Sequence, residues 1–215
     1  VFLPCMTTEN QDLKREQILQ LSRELFMRYG IRSMTLDEVS NRAGMSKKTF
    51  YQHFANKGAL VKAIVEFDVE QQRKQLEKFT TATGVNAIDK LSQIFGCWLE
   101  MFRHLHSSVM HDLRRYHPQA WDKVEGFKWQ FLKQIICENM AEGMEQGLYR
   151  SDLDSEFIAR LYIARGDVFT EGKVFPPHEF LISELIIKSF HFHMRAIVSE
   201  KGRRYLEQHE QTLIQ

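Results

Sequence analysis

At 215 residues, with 43% hydrophobic and 27% charged side chains, the chain is long enough to bury a real core, as one compact domain or a small one plus a larger one. Lys+Arg 29 against Asp+Glu 28 leave a net charge of +1, so the chain as a whole is neither polycation nor polyanion. No apolar run approaches the roughly 18 residues of a membrane span, and three cysteines (Cys5, Cys97, Cys137) without paired spacing argue against a disulfide framework and fit a reducing cytoplasm.

The opening Val-Phe-Leu-Pro-Cys-Met is too short for a signal peptide and lacks its basic start. It reads as a remnant or misassigned start, with Met6 as the natural first residue and residues 1–12 as a flexible segment. Ile18, Leu21, Leu25, Phe26 and Tyr29 then form the apolar face of a first helix that stops at Gly30. Thr35 suits an N-cap, and Glu38, three residues on, is placed to bond back to the cap's N–H, so a short second helix starts there. Val39 and Ala43 continue its inner face. Gly44 follows where helices end in a left-handed residue. Ser46 is a second N-cap, and Met45 before it can staple onto Phe50, which predicts a third helix over residues 47–54.

Two short helices joined by a glycine turn have the layout of a helix-turn-helix DNA reader. On the third helix Phe50 and Phe54 face inward, while Lys48 and Gln52, also four apart, lie opposite. Lys47, Lys48 and Thr49 occupy the first turn, the part that enters a major groove. There lysine donates to guanine O6/N7, and Gln52 pairs with adenine N6/N7. Thr35, Tyr51, His53 and Lys57 sit at helix starts or on the flank, where they would contact phosphates and set register. Each has a plainer reading: a lysine pair at a helix start is often solvated surface, the Tyr51 ring packs with Phe50 and Phe54, and His53 is a surface histidine without a partner. Charge favours the DNA reading. Residues 13–62 hold ten Lys/Arg and four Asp/Glu, a net of +6, so the remainder carries −5 to reach the chain's +1. A basic lobe is what phosphate affinity requires.

Residues 14–67 resemble the DNA-binding domain of the TetR family of bacterial one-component transcription regulators. The resemblance is carried by the first helix, by T-L-D-E-V-S-N-R-A-G-M-S-K-K-T-F-Y-Q-H-F and by the following N-K-G-A-L. It covers about the first third of the chain. It implies a homodimer on a palindromic double-stranded operator, with a helical C-terminal domain that holds a small-molecule effector and dimerises. The expected fold is therefore all-α: a helix-turn-helix domain at residues 13–66 and a helical regulatory and dimerisation domain at 67–215.

Asn56 caps a fourth helix, whose Leu60, Val61, Ile64, Val65, Leu76 and Phe79 carry it out of the DNA lobe. After the breaker at residues 80–84, the run Ile88, Leu91, Ile94, Phe95, Trp98, Leu99, Phe102, Leu105 predicts a central helix. Pro118 opens a long helix to about residue 146, with Gly147 past its end. Asp152 and Asp154 offer caps for a helix that follows. Residues 172–177 mark a loop, residues 180–199 a last long helix, and 200–215 a charged tail. The resemblance implies that the last two long helices pair with their copies in a four-helix bundle, here residues 157–169 and 181–198, whose apolar load exceeds what one seam needs, as either a second buried face or a thicker-packed monomer would require. An effector pocket would draw on Phe95, Trp98, Phe102, Met110, Trp121, Phe127, Phe131 and Tyr162, the same residues that would otherwise fill a core. Among the nine histidines, His191 and His193 diverge on a helix. Glu100 with His104 is the one helical pair of metal-ligand type, and neither a metal nor a cofactor is expected. The chain has no G-x-S-x-G, no glycine-rich phosphate loop and no H-E-x-x-H, so catalysis has no visible foothold. Two readings stay open beside the ligand-responsive repressor: a DNA reader whose body is a protein-interaction module, and a helical enzyme.

Overall fold

The computed structural model describes residues 5–103 and 105–209, with side chains from Leu13 onward. Residues 1–4 of the suspected stray start, and His104 of the Glu100–His104 pair, lie outside the described residues. The fold is all-α, as expected. Its helices are α1 (Cys5–Tyr29), α2 (Leu36–Arg42), α3 (Lys47–His53), α4 (Lys57–Thr80), α5 (Ala87–Arg103), α6 (Val109–Tyr116), α7 (Pro118–Gly126), α8 (Lys133–Glu145), α9 (Ser155–Glu171), α10 (Ile182–Ile197) and α11 (Glu200–His209). Helix α1 begins at Cys5, within the stretch expected to be flexible. Two compact units form, one from the chain up to Glu70 together with Leu105–Val124, the other from Gln71 to Arg103 and from Glu125 onward.

The first unit closes over Val39, Phe50 and Leu60, all fully buried, with Ile18, Phe26 and Phe54 around them. The sequence placed residues 105–124 in a body beginning at residue 67, whereas this segment packs with the N-terminal helices. Val109 and Leu113 of α6 are buried in the same core, and Trp121 and Val124 of α7 pack against it. Backbone polar groups fix the join: His106 N–H donates to the Met27 carbonyl at 2.7 Å, and Arg32 N–H donates to the buried Asp112 carboxylate at 3.3 Å. Gly30 turns left-handed at φ +83°, and a Cβ there would sit 2.7 Å from Ser108 Oγ, so only glycine fits without displacement.

In the second unit Asn86 caps α5, its Oδ1 accepting from the N–H groups of Ile88 and Asp89 at 3.0 and 3.1 Å. The α5 residues Ile88, Leu91 and Ile94 are buried with Ile136 and Met140 of α8 and Ile163 of α9. Pro118 is the first residue of α7, as its missing N–H and fixed φ favour. The long helix expected from there to about residue 146 is interrupted by a π-turn at Phe127–Leu132, which shifts the phase of the faces before α8 resumes. Gly147 ends it at φ +69°. The Tyr149 hydroxyl then lies 3.0 Å from the Ala87 carbonyl and 3.1 Å from the Asn139 Oδ1, its single proton shared between the two acceptors, knitting the end of α8 to the start of α5. The segment expected as a charged tail forms α11 over Glu200–His209. Glu200 binds Arg203 and Arg204, and the Tyr205 hydroxyl donates to Asp89 at 2.7 Å. An antiparallel bridge, Tyr149 with Val198, sets α11 against this corner.

Candidate nucleic-acid interface

Local chemistry positions the α2–α3 pair. Thr35 caps α2, with Glu38 N–H donating to its Oγ1 at 3.2 Å. The Glu38 carboxylate in turn accepts from Thr35 N–H at 2.7 Å and from its hydroxyl at 2.8 Å, completing the capping box. These donors hold the Glu38 carboxyl below its ordinary range. Gly44 takes φ +63°, and Ser46 starts α3 by accepting from Thr49 N–H at 3.1 Å. Phe50 and Phe54, with ring centroids 6.0 Å apart, anchor one side of α3 in the core. The opposite side is left to solvent.

Lys48 and Gln52 are exposed and make no hydrogen bond or ion pair among the described residues. Lys47 is exposed but committed: its Nζ lies 2.5 Å from Asp37 Oδ2, which raises its pKa. Thr49 is half-buried, its hydroxyl 2.9 Å from Ser46 Oγ. Tyr51 is exposed beside Lys48, and His53 is half-buried with its ring against Phe54. Thr35 spends its hydroxyl on the capping box. Lys57, at the start of α4, donates to the Arg32 carbonyl at 3.5 Å and lies over the Phe26 ring. Partial burial lowers its pKa. The α4 terminus is capped by Asn56, whose Oδ1 accepts from Ala59 N–H at 2.8 Å. The eight residues thus lie on α3 and at the starts of α2 and α4, and Lys48, Tyr51, Gln52 and His53 make no hydrogen bond or ion pair among the described residues. Sequence reasoning missed Asp112, a buried carboxylate whose hold on the Arg32 N–H fixes the loop before α2. It lies 80 residues away in the chain and left no local signal.

The residues expected to line a pocket divide between the units. Phe95, Trp98, Phe102 and Tyr162 come together in one cleft of the second unit, with Arg165, Phe169 and Phe190. Met110 and Trp121 do not join them, because both pack against the core of the first unit. Phe127 and Phe131 pair with each other at 5.4 Å in the π-turn and are not part of the cleft wall. Inside α10 His193 is buried against Tyr162, ring centroids 5.0 Å apart, and its burial depresses its pKa to about 3. His191, two residues earlier, lies on a different wall. Among the described residues no group of three or more His, Cys, Asp or Glu is arranged to hold a metal ion, and no helix is long and apolar enough to cross a membrane.

Residues 18–64 match the family model for bacterial regulatory proteins of the tetR family. The HTH-type transcriptional repressor KstR2 of Mycobacterium tuberculosis is 24% identical over 154 residues, covering 68% of this chain and 74% of the relative. Among solved structures, reduced NemR of E. coli aligns at a TM-score of 0.68 with 16% identity, covering 86% of this chain and 97% of that one. The triclosan complex of SmeT, a repressor from Stenotrophomonas maltophilia, aligns at 0.62 with 18% identity over 87% and 93% of the two chains. Both structures share the fold. The capped helix pair lies wholly inside the matched segment, which is similar to bacterial regulatory proteins of the tetR family.

Proposed function

We propose that this protein is a sequence-specific transcriptional repressor that acts in the cytoplasm as a homodimer on a palindromic operator and is released by a small hydrophobic or amphipathic effector. The observation that carries the DNA reading is the solvent face of α3, where Lys48 and Gln52 project with no partner among the described residues while Phe50 and Phe54 lock the helix from behind. Lys48 and Gln52 read base edges. Thr49 and Lys47 support them, Lys47 once it leaves Asp37. Thr35, Tyr51, His53 and Lys57 meet phosphates.

Two-fold pairing is supported by apolar side chains left bare on α9 and α10. Phe157 is 61% and Phe192 74% exposed, and Leu161 and Val168 continue the α9 row at helical spacing. A two-fold protein matches a palindromic operator whose half-sites lie one DNA turn, about 34–36 Å, apart. An effector that prefers a different spacing weakens the complex, and a coupling of about 1–3 kcal/mol changes affinity roughly 5- to 150-fold. KstR2 and SmeT, both named repressors, and the capture of triclosan by SmeT support an effector-released repressor. The test is selection of duplexes from a random pool by the purified protein, followed by a screen for compounds that release the selected DNA. Recovery of no common sequence would refute the reading.

A further inference from the structure

Arg165 lies in the apolar cleft of the second unit without a counterion. Its Nη1 donates to the Ser189 carbonyl at 3.0 Å, and its guanidinium carbon sits 5.0 Å from the centre of the Tyr162 ring. Its Nε is enclosed and has no hydrogen-bond partner. No carboxylate pairs with it among the described residues; Asp167, two residues on, is held by Lys128 at 2.7 Å. Burial accordingly depresses its pKa. A second orphan lies close by, the Nε2 of buried His193, whose ring is tilted against the same Tyr162 ring with centroids 5.0 Å apart. A half-buried cation without a counterion is costly, and enclosed donors left unsatisfied are rare. The Nη1 bond to Ser189 leaves free the Nε/Nη2 edge, the side of a guanidinium that matches a carboxylate with two parallel bonds.

The rest of the wall is apolar: Phe95 stacked on Phe190 at 3.9 Å, Trp98 beside Tyr162, and Phe169. We propose that this cleft binds a small apolar carboxylate, its anionic end on the Nε/Nη2 edge of Arg165 and its hydrocarbon or aromatic body among Phe95, Trp98, Tyr162 and Phe190. The cleft now encloses about 30 Å³, the share of one water, so entry requires the rings to turn. Gly166 on the same wall leaves room, since a Cβ there would meet nothing within 4 Å. As the identity of an effector, this inference rests on the repressor reading above. As a binding site it does not.

The test is isothermal titration of the full chain with 3-phenylpropanoate and octanoate, each against its matched primary alcohol. The acids bind about tenfold or more tighter than the alcohols, as a charge-assisted bond in a dry site predicts. Arg165→Gln abolishes the preference while leaving alcohol binding in place, and Arg165→Lys, which keeps the charge, retains part of it. Arg165→Met raises Tm, because it removes a half-buried charge whose enclosed Nε has no partner. Equal binding of acid and alcohol, an undiminished preference in Arg165→Gln, or no acid bound below about 10 mM overturns the proposal. Operator affinity is read separately by fluorescence anisotropy. An acid that binds through Arg165 but leaves operator affinity unchanged upholds the site and refutes its role as effector.

Discussion

Lys48→Ala separates base reading from general attraction to DNA. The Lys48 ammonium has no partner among the described residues and lies on the outer face of α3, so its removal leaves no buried group unsatisfied and shifts stability by no more than about 0.5 kcal/mol. A lysine on guanine O6/N7 contributes roughly 1–3 kcal/mol of discrimination. The proposed homodimer would use two, so the loss is about 2–6 kcal/mol, or roughly 30-fold to 10⁴-fold in operator affinity. On a scrambled duplex the same change removes only counterion release, which shows as a shallower salt slope. Anisotropy titrations of the selected operator and a scrambled control, at several salt concentrations, measure both quantities. Lys57→Ala is the control, because its Nζ lies at the start of α4 with Arg32 and Phe26 rather than on the reading face. It weakens both duplexes and lowers the slope by about one. Equal losses on the two duplexes for Lys48→Ala would remove that residue from the base-reading set.

Four further outcomes follow from the same structure. Thr35→Ala removes the α2 cap and lowers stability by about 1 kcal/mol, read as a drop in Tm. The Glu38 carboxyl titrates below its unfolded value, so its contribution is present above that value and fades as pH falls through the folded pKa. Glu38→Gln therefore flattens the decline of Tm below about pH 5. Tyr149→Phe strips the donor from the Asn139 Oδ1 while the Ala87 carbonyl keeps the Asn139 amide at 2.8 Å. It costs about 1–3 kcal/mol in urea unfolding with an unchanged m-value. Phe192→Glu places a charge on the bare face of α10 and shifts the sedimenting species from dimer to monomer, and a wild-type chain that sediments as a monomer would refute the two-fold reading.

The α2–α3 pair was legible because its determinants lie three or four residues apart: Thr35 with Glu38, Ser46 with Thr49, Phe50 with Phe54, and Gly44 at the turn. Interactions at that range are written in the sequence and survive whatever the rest of the chain does. Lys47 marks where this stops. Its place in the first turn of α3 was clear, but its pairing with Asp37, ten residues back, depends on how α2 and α3 cross. Residues 105–124 show the same limit at longer range. Their helical periodicity identifies an apolar face, but not which core receives it. The buried Asp112 and the Gly30–Ser108 approach assign them to the first unit through contacts about 80 residues apart.

The body hides its chemistry for a further reason. Phe95, Trp98, Phe127, Phe131 and Tyr162 fall at helical spacings that a plain core and a binding cleft share, so no periodicity separates the wall of a cleft from its filling. The structure separates them by their polar neighbours. Phe127 and Phe131 meet each other, while Trp98 and Tyr162 share a cleft with a guanidinium that no acid among the described residues balances. An arginine amid apolar residues on α9 looks in the sequence like any half-exposed helix arginine. What suggests a ligand there is that no carboxylate among the described residues pairs with it. That absence is a property of several helices at once, which is why Arg165 could not be singled out from the sequence.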